Sequence, residues 1–134
     1  MPNLTVSTVF NLRIVPLSHI VDFVVFNAEV IIYYIPQAIP AEAIPGSIAV
    51  ATSEEGGIIT KSISYKRSGV SPNVSAELES LRKEHFVALY DDERGNGRVA
   101  GSPDFPLSFS FVTEDGVYSC KLSGKAIEND PFIR

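Results

Sequence analysis

The chain contains no tryptophan, one methionine, two histidines and a single cysteine among its 134 residues. One thiol cannot close an intramolecular disulfide, so Cys120 excludes the disulfide-dense scaffold with which small secreted domains compensate for thin cores. The histidines, His19 and His85, stand far apart and fall in no spacing that suits zinc or the base of a nucleophile, so structural or surface roles are expected of both. Long apolar runs are also lacking. The most apolar stretch, Ile20 to Ile35, carries Asp22, Asn27 and Glu29 and is shorter than the ~20 apolar residues that cross a bilayer. No membrane association is expected, and the start Met1-Pro-Asn-Leu-Thr5 has neither the basic stretch nor the apolar run of a signal peptide.

Basic charge is scarce. Sixteen acidic against eleven basic residues leave a net charge of −5 with no Lys/Arg run, which argues against an electrostatic footprint for nucleic acid. No specific nucleic-acid binding is expected. An acidic surface would suit the lining of a channel through which DNA slides, because like charges oppose tight phosphate contacts.

Chemical motifs are equally sparse. The Gly56-Gly57 pair leads into a strand pattern instead of opening a helix, so it is no phosphate loop. The acidic run Asp91-Asp-Glu-Arg-Gly-Asn-Gly97 lacks calcium-loop spacing, since Ser102 holds the place of the twelfth-position glutamate; a solvated hairpin loop explains it. Glu54-Glu55 and Asp91-Asp92 are sequence neighbours that point to opposite sides of an extended chain, which rules them out as acid/base dyads. Asn3-Leu-Thr5 and Asn73-Val-Ser75 match the glycosylation pattern, a three-residue motif that recurs by chance. No catalytic residue, cofactor or metal site is expected, and the protein reads as a non-enzyme.

What is present is β pattern. A chain of this length fits one domain over 1–134. Thr5 to Val15 and Ile20 to Ile35 are rich in Val, Ile, Phe and Tyr, with Pro16-Leu-Ser-His19 as a break. Phe23 to Phe26 and Val30 to Ile35 are apolar on both faces, which predicts cover on both sides by a second sheet or another subunit. Ile59, Lys61, Ile63 and Tyr65 alternate with polar residues after the Glu55-Gly-Gly57 turn and predict a half-exposed strand. Its basic residues Lys61, Lys66 and Arg67 read as a solvated edge that blocks aggregation. Ser71-Pro72 predicts an N-cap, and Val74, Leu78 and Leu81 share one face of a helix over about 72–84, with acidic residues early and basic residues late.

Phe86 to Tyr90, apolar on both faces, predicts an interior strand with Arg98 to Gly101 pairing back onto it. The final hairpin is the most specified element. With Asp115-Gly116 as a two-residue turn, Phe111 falls opposite Cys120 and Phe109 opposite Leu122, so turn chemistry and apolar alternation select one register with Cys120 inward as core filler.

Prolines 36, 40 and 45 exclude a helix interior or central strand from 35–46, which predicts an extended arm. Ile35, Ile39 and Ile44 precede these prolines as apolar teeth that must pack on their own domain or on a neighbour, and they are the candidate interface residues.

Leu78, Leu81, Phe86-Val-Ala-Leu-Tyr90, Asp92, Gly97-Arg-Val-Ala-Gly-Ser-Pro103, Pro106-Leu-Ser-Phe109 and Tyr118-Ser-Cys-Lys-Leu-Ser-Gly124 together resemble small structural proteins from tailed bacteriophages and prophages of Bacteroidetes. The resemblance covers Ser75 to Phe132; the earlier part shares only β character. The chain departs in Ile48-Ala-Val50, where the pattern has an aromatic, and in its tight Asp-Gly closing turn. The resemblance implies a tail, neck or head-tail collar subunit, assembled in the bacterial host cytoplasm into the virion. Its partners would be copies of itself in a ring and other phage tail or neck proteins. The expected fold is an antiparallel β-sandwich or barrel with one helix and the arm 35–46. The rival classes are a carbohydrate- or peptide-binding β module on a bacterial surface, which would need an exposed aromatic platform or an ion site, and a small enzyme.

Overall fold

The computed structural model describes residues 3–134. Twelve strands and one helix follow in chain order: β1 (Asn3–Thr8), β2 (Phe10–Pro16), a 3₁₀ turn (Leu17–His19), β3 (Ile20–Phe26), β4 (Glu29–Tyr34), β5 (Ile39–Pro40), β6 (Ala49–Glu55), β7 (Ile58–Arg67), α1 (Pro72–Leu81), β8 (His85–Asp91), β9 (Gly97–Ala100), β10 (Leu107–Glu114), β11 (Val117–Ala126) and β12 (Phe132–Ile133). The protein is mainly β with one helix, as the sequence predicts.

Strand β8 organises the sheet. One of its sides takes β2 from Phe86 to Asp91, while the other takes β10 at His85 and Phe86 and then β9 from Ala88 to Asp91. Period-2 alternation sends its side chains into two cores. Phe86, Ala88 and Tyr90 pack with Leu12, Ile14, Ile63, Tyr65, Leu78, Tyr118, Cys120 and Leu122. Val87 and Leu89 pack with Val15, Val30 and Val99, with Phe23, Ile32 and Tyr34 alongside. Three layers result: β1-β6-β7-β11-β10 with α1 in front, β2-β8-β9 in the middle, and the β3–β4 hairpin behind.

The path β1-β6-β7-β11-β10-β8-β9-β12-β4-β3 does not close, so the sandwich-like alternative is observed and the barrel is not. All pairings are antiparallel except β12 with β4, where Phe132 and Ile133 run beside Glu29 and Val30. This pair of residues joins the rear hairpin to β9.

Tight loops set the registers. Asp115 and Gly116 have φ of 52° and 76°, the mirror-image turn that matches strand twist, and the β10–β11 ladder carries Phe111↔Cys120 and Phe109↔Leu122 as predicted. Gly124 is required for close approach: a Cβ there would lie 2.9 Å from the Pro106 carbonyl oxygen.

Several expectations need correction. The segment Thr5 to Val15 is two strands that separate at Val9, with Asn11 at φ 53°. Ile20 to Ile35 is a hairpin, because Asn27 and Ala28 at φ 53° and 62° form a two-residue turn that carries no Asn-Gly signature. The helix ends at Leu81, three residues before the predicted limit: the amides of Lys83 and Glu84 reach only to the Ser80 and Leu81 carbonyls, a tightened exit turn. No acidic residue occupies its first turn and no basic one its last, while the Ser71 cap is as predicted, with Oγ accepting from the Val74 amide at 3.2 Å. Strand β7 is interior, between β6 and β11, so Lys61 and Arg67 are not edge residues. Both side chains point inward with Ile59, Ile63 and Tyr65 and are buried; Lys66 alone of the three is exposed.

Two outcomes follow from the β10–β11 register. Phe109→Ala removes a ring that is 5% exposed and is expected to lower stability by about 3–5 kcal/mol, whereas exposed Ser110→Ala should shift the denaturant midpoint little. Cys120 is 1% exposed and burial pushes its thiol up to about 11. It should react slowly with a soluble thiol reagent at pH 8 when native and rapidly once unfolded; equal rates would place it outside the core.

Candidate assembly surface

The arm is held to its own domain over most of its length. Ile39 and Pro40 pair with Ile14 and Arg13 of β2, the Ala41 amide donates to the Leu12 carbonyl at 3.0 Å, and the Ile44 amide donates to the Lys66 carbonyl at 2.7 Å. Arg67 Nη2 reaches Glu42 Oε2 at 2.8 Å and Glu77 Oε2 at 3.1 Å, so one buried guanidinium ties the arm to α1. Ile39 packs against the front core and Ile44 is half-buried. Ile35 is 59% exposed. The three candidate residues therefore do not form one surface: Ile39 turns inward, and Ile35 stands at the end of the rear hairpin.

That hairpin carries an apolar surface that the arm motif did not indicate. Val30, Ile32 and Tyr34 of β4 and Phe23 of β3 face the rear core. The opposite face presents Val24 opposite Ile31 at its centre, with Tyr33 opposite Asp22 at one end and Phe26 opposite Glu29 at the other, the Arg134 guanidinium lying 5.9 Å from the centre of the Phe26 ring. Val24, Phe26, Ile31 and Tyr33 are 47–57% exposed, and Val21, 62% exposed, and Ile35 flank them. The sequence predicts cover on both faces of these strands; within this chain only one face is covered. Half-exposed aromatic and branched side chains in a contiguous group mark a contact surface more often than scattered ones do.

The ionisable interior is engaged in the fold. Lys61 Nζ and the Tyr90 hydroxyl both bond the Asp130 carboxylate, all three residues being under 9% exposed. Burial, then the adjacent Asp130 charge, raises the Tyr90 hydroxyl pKa, so the phenol stays a donor. Arg98 Nε donates to the Asp130 carbonyl at 3.0 Å while its guanidinium lies 4.1 Å from the centre of the Phe132 ring. This cluster secures the segment that carries β12. In the Asp91–Gly97 loop, Asp92 Oδ1 accepts from the amides of Asn96 and Arg94 at 2.9 Å, and these bonds hold its carboxyl below the usual range. Asp92 shapes the hairpin loop in which sequence reasoning places it.

His19 lies in the 3₁₀ turn and His85 at the start of β8. Among the described residues no group of three or more His, Cys, Asp and Glu side chains is placed to hold a metal ion, and no helix is long and apolar enough to cross a membrane. Two clefts flank the Asn129-Asp130 segment: one of about 440 Å³ beside Phe23, Val25, Phe105 and Ile127, and one of about 360 Å³ beside Thr5, Thr52, Lys61 and Arg98.

The buried pair yields a test. Lys61→Met leaves the Asp130 carboxylate without its cation and is expected to cost about 3–5 kcal/mol, whereas an exposed lysine such as Lys66→Met should cost under about 0.5 kcal/mol. Equal denaturant midpoints for the two variants would contradict the pairing.

No protein-family model matches the chain, and neither a curated protein nor a solved structure matches it.

Proposed function

We propose that this protein is a non-enzymatic structural subunit of a tailed-bacteriophage virion, a component of the tail, neck or head-tail collar that builds rings from copies of itself. The observation that carries this reading is the apolar outer face of β3 and β4, where Val24, Phe26, Ile31 and Tyr33 stand in water at about half exposure without serving the intramolecular core. Such a face raises the free energy of an isolated subunit and lowers that of an assembly in which it is covered. The resemblance of Ser75 to Phe132 to phage structural proteins supplies the setting, the virion, and the neighbours, other tail or neck proteins.

Negative-stain electron microscopy of the purified chain, read beside sedimentation velocity, tests the proposal. Rings or short tubes are expected. Monodisperse monomers that bind glycans or peptides would overturn it in favour of a recognition module on a bacterial surface.

A further inference from the structure

We infer that successive copies join edge to edge, with β1 of one copy adding to the free edge of β3 in the next. This rests on the ring reading above and adds a strand-edge contact to the outer face of β3 and β4. Among the described residues, β1 and β3 end the strand path and each has a hydrogen-bonded neighbour on one side only. Their lengths match closely, at six and seven residues. Soluble proteins usually blunt such edges with lysine, proline or very short strands. Neither Asn3–Thr8 nor Ile20–Phe26 contains a lysine or a proline; the one protective feature is Asp22 beside the irregularity in the β3–β4 ladder.

Side chains on the two edges are complementary in shape and chemistry. On β1, Leu4 and Val6 are 69% and 62% exposed and share one face, because Thr5 and Ser7 sit opposite Thr52 and Val50 on the other. On β3, Phe23 and Val25 also stand two residues apart and border the cleft of about 440 Å³ that Phe105 and Ile127 complete. A strand laid along β3 with Leu4 and Val6 on the side of Phe23 and Val25 fills that cleft with two apolar side chains at matching spacing.

The two edges favour a second copy as the occupant: Leu4 and Val6 on β1 are 69% and 62% exposed and Val25 on β3 is 44% exposed, so donor and acceptor apolar side chains both stand in water on this one chain. A different protein would satisfy one edge and leave the other open. A copy of the same chain supplies both halves, and a head-to-tail contact of this kind closes into a ring when its rotation permits.

Three variants and sedimentation velocity test the inference. Leu4→Lys/Val6→Lys blocks the donor strand and Val25→Lys blocks the acceptor; Ile127→Lys blocks the same cleft from outside the strand should Val25→Lys fail to fold by circular dichroism. Wild type should sediment as a ring and each folded variant as a monomer. An equimolar mixture of the donor-blocked and an acceptor-blocked variant should give 1:1 dimers and nothing larger, since one intact donor and one intact acceptor remain. Folded variants that keep the wild-type ring would overturn the edge pairing and leave the ring reading standing. Mixtures that assemble beyond dimers would also overturn it. A wild type that stays monomeric at high concentration would overturn both.

Discussion

Burial of β8 on both faces is the constraint on which the rest of the architecture depends. Phe86, Val87, Ala88 and Leu89 are at most 1% exposed, and they alternate between two separate cores. Fully burying a large apolar side chain contributes about 1.5–3 kcal/mol, so uncovering either face would remove a large share of the stability of a domain this size. A single second sheet could cover only one face. The chain therefore builds a front sheet with α1 on one side and folds the β3–β4 hairpin behind the other.

The rear layer has different obligations from the front one. Its inner face must cover Val15, Val87, Leu89 and Val99, and Val30, Ile32 and Phe23 do so. Nothing in the fold requires its outer face to be apolar, yet Val24, Phe26, Ile31 and Tyr33 occupy it. The outer side of the front sheet is polar along Ser62, Ser64, Ser108, Ser110 and Lys121, with Leu4 and Val6 on β1 and Val112 on β10 among its exposed apolar residues. The rear hairpin and the β1 edge are therefore the places to look for assembly contacts.

Polar side chains inside the domain act as fasteners at points where the chain changes layer. Asp130, held by Lys61 and Tyr90, fixes the segment leading to β12, the two residues that join β9 to β4. Arg67 does the same for the arm through Glu42. Of the two pairs Lys61–Asp130 alone is buried at both ends, and parting it would leave an uncompensated buried charge, which disfavours placements of the 129–133 segment that separate them.

The sequence by itself determined the elements whose signals are local. The Asp115-Gly116 turn and the alternation of Phe109, Phe111, Tyr118, Cys120 and Leu122 specify one hairpin register, and Ser71-Pro72 specifies where α1 begins. The two-sided apolar run Phe86 to Tyr90 identified the interior strand. Tertiary structure decided whatever depended on distant partners. Lys61 on β7 reads as a solvent-facing cation until Asp130, sixty-nine positions away in the chain, is brought beside it. The arm isoleucines looked equivalent because each precedes a proline; β2 lies under Ile39 and not under Ile35, and only the packed chain distinguishes them. Apolar character on both faces of β3 and β4 was legible, but which face meets a core is set by the β12 pairing that folds the hairpin over β8. Local propensity can fix turns and alternation, since these act over a few residues; the environment of a face is a property of what packs on it, and that is decided when the layers meet.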